Sequence, residues 1–194
     1  MNGTENYLLA RKRELPKTIP ACVILLMIAV MSSFGVGYAF FSSFPPEAVF
    51  RIASPAVGID IPSSLLSLAR TKSGEVIELA ILAVSSFTVF SKAVILLLCL
   101  SRGLSLGCAS SLYLSGLVSG DIRDAAAYIL FGFASAVLFA VLAAYSSVYS
   151  DCIIRSCASG ERRYACALSR EYAVCFLTFS GGVLSVGILP FIIM

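Results

Sequence analysis

The chain has 194 residues, of which 59% are hydrophobic and only 13% charged. A soluble domain of this size has too little interior to hide that much apolar surface, whereas a bilayer replaces water as the solvent for it. The formal charge of +3 is small, and histidine is absent. That absence excludes Ser-His-Asp and Cys-His catalysis, histidine metal sites and histidine proton relays. The aqueous segments are too short for a catalytic domain of ordinary size. No Gly-rich phosphate loop or basic-aromatic surface is present, so no nucleic-acid partner and no cofactor are expected.

The predicted fold is all-α: a polytopic transmembrane helical bundle of about five spans, forming one domain over residues 1–194. Residues 1–17 form a polar tail with Arg11, Lys12, Arg13 and Lys17. The first span covers 18–41, too long for the apolar core of a signal peptide. Residues 42–74 are predicted as an aqueous loop, punctuated by Pro45, Pro46, Pro55 and Pro62. Its end, Leu65 to Lys72, reads either as an interfacial helix or as a connector.

Residues 75–116 are apolar over a length that fits two crossings. Lys92 and Arg102 interrupt them. One cation marks a turn, and the other then lies in the membrane. Hydropathy does not choose between them. A buried cation costs about 2.5–3.5 kcal/mol on the mildest scale. It is expected to snorkel toward headgroups, because it lies toward one end of its span. Ser85, Ser86, Thr88, Ser91 and Ser105 are alternative polar partners. Glu75 and Glu78 are expected near the opposite face, out of reach.

A fourth span is predicted over 125–149, capped by Asp124. Residues 150–171 form a second loop, and the fifth span covers 172–194. Counting Lys and Arg by face, the tail, the second-to-third turn and the 150–171 loop are the richer side. The N-terminus is therefore expected in the cytoplasm and the 42–74 loop outside. Cys152, Cys157 and Cys166 fall in the cytoplasmic loop without a CxxC pair, which reads as reduced thiols rather than a metal site.

Small residues recur at helix-packing spacing: Gly103 with Gly107, Gly116 with Gly120, and Ser33 with Gly37. Such pairs let backbones approach, within the monomer or against a partner. Tyr38, Tyr113, Tyr145, Tyr149 and Tyr172 fall near span ends, as in an aromatic belt.

The stretch from Ser73 to Tyr149 resembles the stage II sporulation protein M family. The resemblance rests on the span order and on Leu98-Cys99-Leu100-Ser101-Arg102-Gly103-Leu104-Ser105-Leu106-Gly107, an apolar run, a basic residue and a glycine pair. Phe131-Gly132-Phe133-Ala134 stands where the family's proline and asparagine would fall. The resemblance implies a turn at Ser91-Lys92, with Arg102 inside the third span. It also implies a non-enzymatic scaffold in the bacterial cytoplasmic membrane. Its partners would be membrane and cell-envelope proteins, peptidoglycan hydrolases among them, engaged during sporulation. The intramembrane cation and the serine-rich 85–105 region carry the alternative, a membrane component of a small-solute transporter.

Overall fold

A computed structural model describes residues 3–45, 65–114, 122–160 and 162–193. These form five helices: α1 (Gly3–Ser42), α2 (Leu65–Ser85), α3 (Ser91–Leu114), α4 (Ile122–Ala158) and α5 (Arg162–Ile193). No strand occurs among the described residues. Four helical stretches are long and apolar enough to cross a bilayer: Thr18–Ser42, Ser91–Leu112, Ala126–Ala158 and Ala165–Leu189. This is the build of a multi-pass membrane protein. α2 is also long enough to cross, at about 1.5 Å per residue. However, its sequence carries Arg70, Lys72, Glu75 and Glu78. Its outward residues Val76, Ile77, Ile81 and Val84 are exposed and apolar, while Leu79, Leu82, Ser85 and Ser86 are buried. A helix whose outward face is apolar, with its carboxylates turned to neighbouring helices, suits lipid rather than water.

Side-chain pairings fix the helix directions. Gly103 lies against Val30 and Ser33, and Gly107 against Phe34 and Tyr38, so α1 and α3 run parallel. α2 and α3 are joined by the turn at 86–90 and run antiparallel. Arg102 reaches Ser135, whereas Lys92 reaches Asp151, so α4 opposes α3. Tyr172 meets Ser146, and Gly182 meets Leu138, so α5 opposes α4. The two described ends of the chain therefore fall at opposite ends of the bundle. The start of α1, Lys92, Arg155 and Arg170 share one end.

Several expected boundaries move. α1 begins at Gly3, although only Thr18–Ser42 is apolar enough to span. Residues 65–74 belong to α2 rather than to a loop, the helix running from Leu65 through Ser73-Gly74 into the apolar stretch. The break between α2 and α3 falls at 86–90, and Ser91 and Lys92 open α3. α4 starts at Ile122, ahead of Asp124, and continues to Ala158. The predicted loop 150–171 is thus helical among the described residues except at 159 and 160. Gly160, at φ 79°, supplies the left-handed residue that ends α4. Helix continues through this region because Cys152, Ile153, Leu168 and Tyr172 bury against one another between α4 and α5. α5 likewise begins at Arg162, ahead of the predicted fifth span.

The core gathers Val30, Leu82, Ile95, Leu106, Phe139 and Val183. Water does not drive helices together inside lipid, so close backbone approach and polar contacts must do so. The 103–107 glycine pair supplies the first of these. A Cβ on Gly103 would strike the Val30 carbonyl and Ser33 Oγ, and one on Gly107 would lie 2.7 Å from the Tyr38 nitrogen. A Cβ on Gly37 would lie 2.8 Å from the Leu104 carbonyl oxygen. Ser33 and Gly37 therefore face Gly103 and Gly107 inside the chain, where no partner protein reaches them. Gly116 and Gly120 lie outside the described residues.

Backbone atoms cannot rotate aside, so Gly103→Ala is expected to cost about 1–3 kcal/mol from overpacking. Gly35→Ala meets open space and is expected to be neutral, or stabilising by up to about 1 kcal/mol through helix propensity. Thermal unfolding of both variants in detergent checks the difference.

Candidate functional site

Arg102 lies one residue before Gly103, level with Val30 and Ser33. That is near the middle of the Thr18–Ser42 apolar run. Because Gly103 brings α1 to backbone contact, Arg102 is directed to the other side of α3, toward α2 and α4. Its side chain is only 10% exposed. Nη1 donates to Glu78 Oε2 at 2.7 Å, and Nη2 donates to Ser135 Oγ at 2.7 Å. Nη2 also lies 3.7 Å from Glu75 Oε1. The guanidinium carbon sits 4.8 Å from the centre of the fully buried Phe139 ring.

Two regular spacings build this site. Glu75 and Glu78 are three residues apart on α2 and so share a face. Ser135 and Phe139 are four apart on α4 and do the same. The planar guanidinium sits between them, with donors in fixed directions and a face for an aromatic ring. The expectation of snorkelling is therefore corrected: Arg102 turns inward to carboxylates, because pairing relieves a desolvation cost that leaning toward headgroups relieves less completely. The expectation that Glu75 and Glu78 lie out of reach is corrected with it. It set the cation toward one end of its span and the two glutamates toward the other, whereas the turn at 86–90 brings residues 75 and 78 level with 102. The sequence did hold the signal, two acidic residues at helical spacing entering an apolar run opposite a lone arginine.

Lys92 stands elsewhere. It opens α3, is largely exposed, and pairs with Asp151 Oδ2 at 2.9 Å. The choice left open by hydropathy is resolved with Lys92 at the turn end and Arg102 inside.

A second polar chain fastens the α2–α3 turn. Tyr172 Oη donates to Ser86 Oγ at 2.8 Å, and Ser86 Oγ donates to the Leu82 carbonyl at 2.7 Å. With its proton so used, Tyr172 Oη accepts from Ser146 Oγ at 3.0 Å. Beside it, Ser150 Oγ donates to Ser91 Oγ at 3.0 Å. α2, α4 and α5 thus meet at one phenol. Reading Tyr172 as a belt residue is corrected, because its ring is buried between α4 and α5. Tyr145 and Tyr149 stack on each other along the same seam, against Phe179 and Tyr172.

In the former loop region, Cys152 is buried whereas Cys157 and Cys166 are exposed. Among the described residues, no three of His, Cys, Asp and Glu are placed to hold a metal ion. No family model, curated protein or solved structure matches this chain.

Tyr172→Phe is expected to lose about 0.6–1.7 kcal/mol, the range for interhelical hydrogen bonds in membranes. Ser86→Ala should cost a similar amount. The double variant should cost less than the two separately, since both break one chain. Unfolding of the three variants in detergent measures this.

Proposed function

We propose that this protein is a non-enzymatic scaffold of the bacterial cytoplasmic membrane that holds cell-envelope proteins in place, its N-terminus in the cytoplasm. One observation carries the reading. Among the described residues, the one cation in the middle of a span is already matched by Glu78, Ser135 and Phe139 of its own chain. The polar interior serves to fasten helices. The glycine faces serve the same end, since Gly103 and Gly107 are covered by α1. Partners are therefore met on outward surfaces. Among the described residues the candidate is the bundle end bearing Lys92, Arg155 and Arg170; the segment 46–64, which lies outside the described residues, is the other candidate by sequence. The clustering of those cations supports that end as the cytoplasmic one. The resemblance to the stage II sporulation protein M family supports peptidoglycan-remodelling enzymes as the class of partner.

The second reading, a transporter component, is favoured by the same cluster seen differently. Ionisable groups in mid-span often bind a transported ion or solute. The two readings diverge under one substitution set. Replacing the cluster together, with Arg102→Leu, Glu78→Leu and Glu75→Gln, removes the charges without leaving any of them unpaired. A buried ion pair exchanged for apolar groups is usually neutral or stabilising, by about 1–4 kcal/mol. A scaffold with this triple change should insert, fold and retain its cross-linked envelope partners in cells. Loss of solute uptake with normal folding and unchanged partner cross-links would instead establish the transport reading. Deleting residues 46–62 provides the complementary check, with partner cross-links lost and membrane insertion retained.

A further inference from the structure

The α2–α3 turn exposes side chains that a turn in water would not carry. Phe87, Val89 and Phe90 are 54%, 81% and 76% exposed. Among the five turn residues only Ser86 and Thr88 are polar, and both hydroxyls are bonded to nearby backbone carbonyls. Ser85 Oγ and Ser86 Oγ donate to the Leu82 carbonyl, and Thr88 Oγ1 donates to that of Ser85. The N–H groups of Ser86, Phe87, Thr88 and Ser91 donate to the carbonyls of Leu82, Val84, Ser85 and Thr88. Turns in water bond such groups locally as well, so the exposed apolar side chains and the depth of this turn are what set it apart.

The neighbouring helices place the turn in depth. Ser150 is level with Ser91, yet α4 continues to Ala158, about 12 Å further at 1.5 Å per residue. Tyr172 is level with Ser86, and α5 begins at Arg162, about 15 Å further out. The turn is thus recessed below the end of the bundle. Lys92 and Asp151, paired beside it, lie where a headgroup layer would hold their charges.

We infer that the turn Ser86–Phe90 is a lipid-binding surface, with Phe87, Val89 and Phe90 inserted among acyl chains just beneath the headgroups, and that the α2–α3 hairpin ends in the membrane rather than in water. The inference is independent of the scaffold reading, since it depends only on side-chain chemistry and depth.

The chain contains no tryptophan, so one introduced residue reports alone. Phe90→Trp, and separately Val89→Trp, are placed in the full-length protein in vesicles of phosphatidylcholine and phosphatidylglycerol. Asn6→Trp, in the polar start of α1, serves as the aqueous comparison. The inserted turn predicts that Phe90→Trp loses most of its emission in vesicles of acyl-brominated lipid and little to acrylamide, with Asn6→Trp doing the reverse. Acrylamide quenching of both turn variants without bromolipid quenching would place the turn in water and overturn the inference. Resistance of both variants to both quenchers would overturn it too, because protein rather than lipid would then cover the surface. Val89→Trp keeps the test decisive if Phe90→Trp fails to fold.

Discussion

A guanidinium in the middle of a bilayer must find negative charge or forfeit several kcal/mol, and this chain supplies that charge from within. Arg102 sits at mid-span because Gly103 and Gly107 bring α3 to backbone contact with α1. From that fixed point it recruits Glu78 and Glu75 from α2, and Ser135 and Phe139 from α4. The consequence is largest for α2. Its carboxylates would make it a poor membrane helix on its own. Opposite Arg102 they become the reason it stays, and its apolar outer face, Val76 to Val84, is then free to meet lipid.

The remaining fastenings follow the same logic. In lipid, serine hydroxyls and one phenol accomplish what hydrophobic burial does in water. The relay from Ser146 through Tyr172 and Ser86 to the Leu82 carbonyl ties three helices. The Ser150–Ser91 bond and the Lys92–Asp151 pair continue it toward the bundle end. Together with the Arg102 cluster, these contacts hold the α2–α3 hairpin at two levels. The pattern describes a fastened bundle.

Much of this was legible in the residues. The apolar stretches announced a helical membrane protein, and the 103–107 glycine pair announced a tight helix contact whose partner, Ser33 and Gly37, was itself visible as a small-residue face. The errors have a common physical source. Hydropathy counts each charge as a penalty and cannot represent two charges cancelling across helices. It therefore set Glu75 and Glu78 outside reach of Arg102. It also ended α4 near Tyr149, because Asp151 and Arg155 look like loop, although Cys152 and Ile153 bury against α5 and keep the helix going. Tyr172 was placed by position in a span, whereas its role depends on Ser86, 86 residues away in the chain. Such contacts between distant residues leave no periodic trace in a sequence.

The most direct measurement is a double-mutant cycle on Arg102 and Glu78, read as unfolding free energy in detergent or bicelles. Arg102→Leu alone leaves carboxylates buried without their cation, and Glu78→Leu alone leaves the cation short of its closest carboxylate. Each is expected to cost about 3–5 kcal/mol. If the pair fastens α2, the double variant recovers part of that loss, with a coupling of about 2 kcal/mol or more. Additive costs, with coupling near zero, would show that Arg102 and Glu78 do not depend on one another and would contradict the ionic fastening of α2.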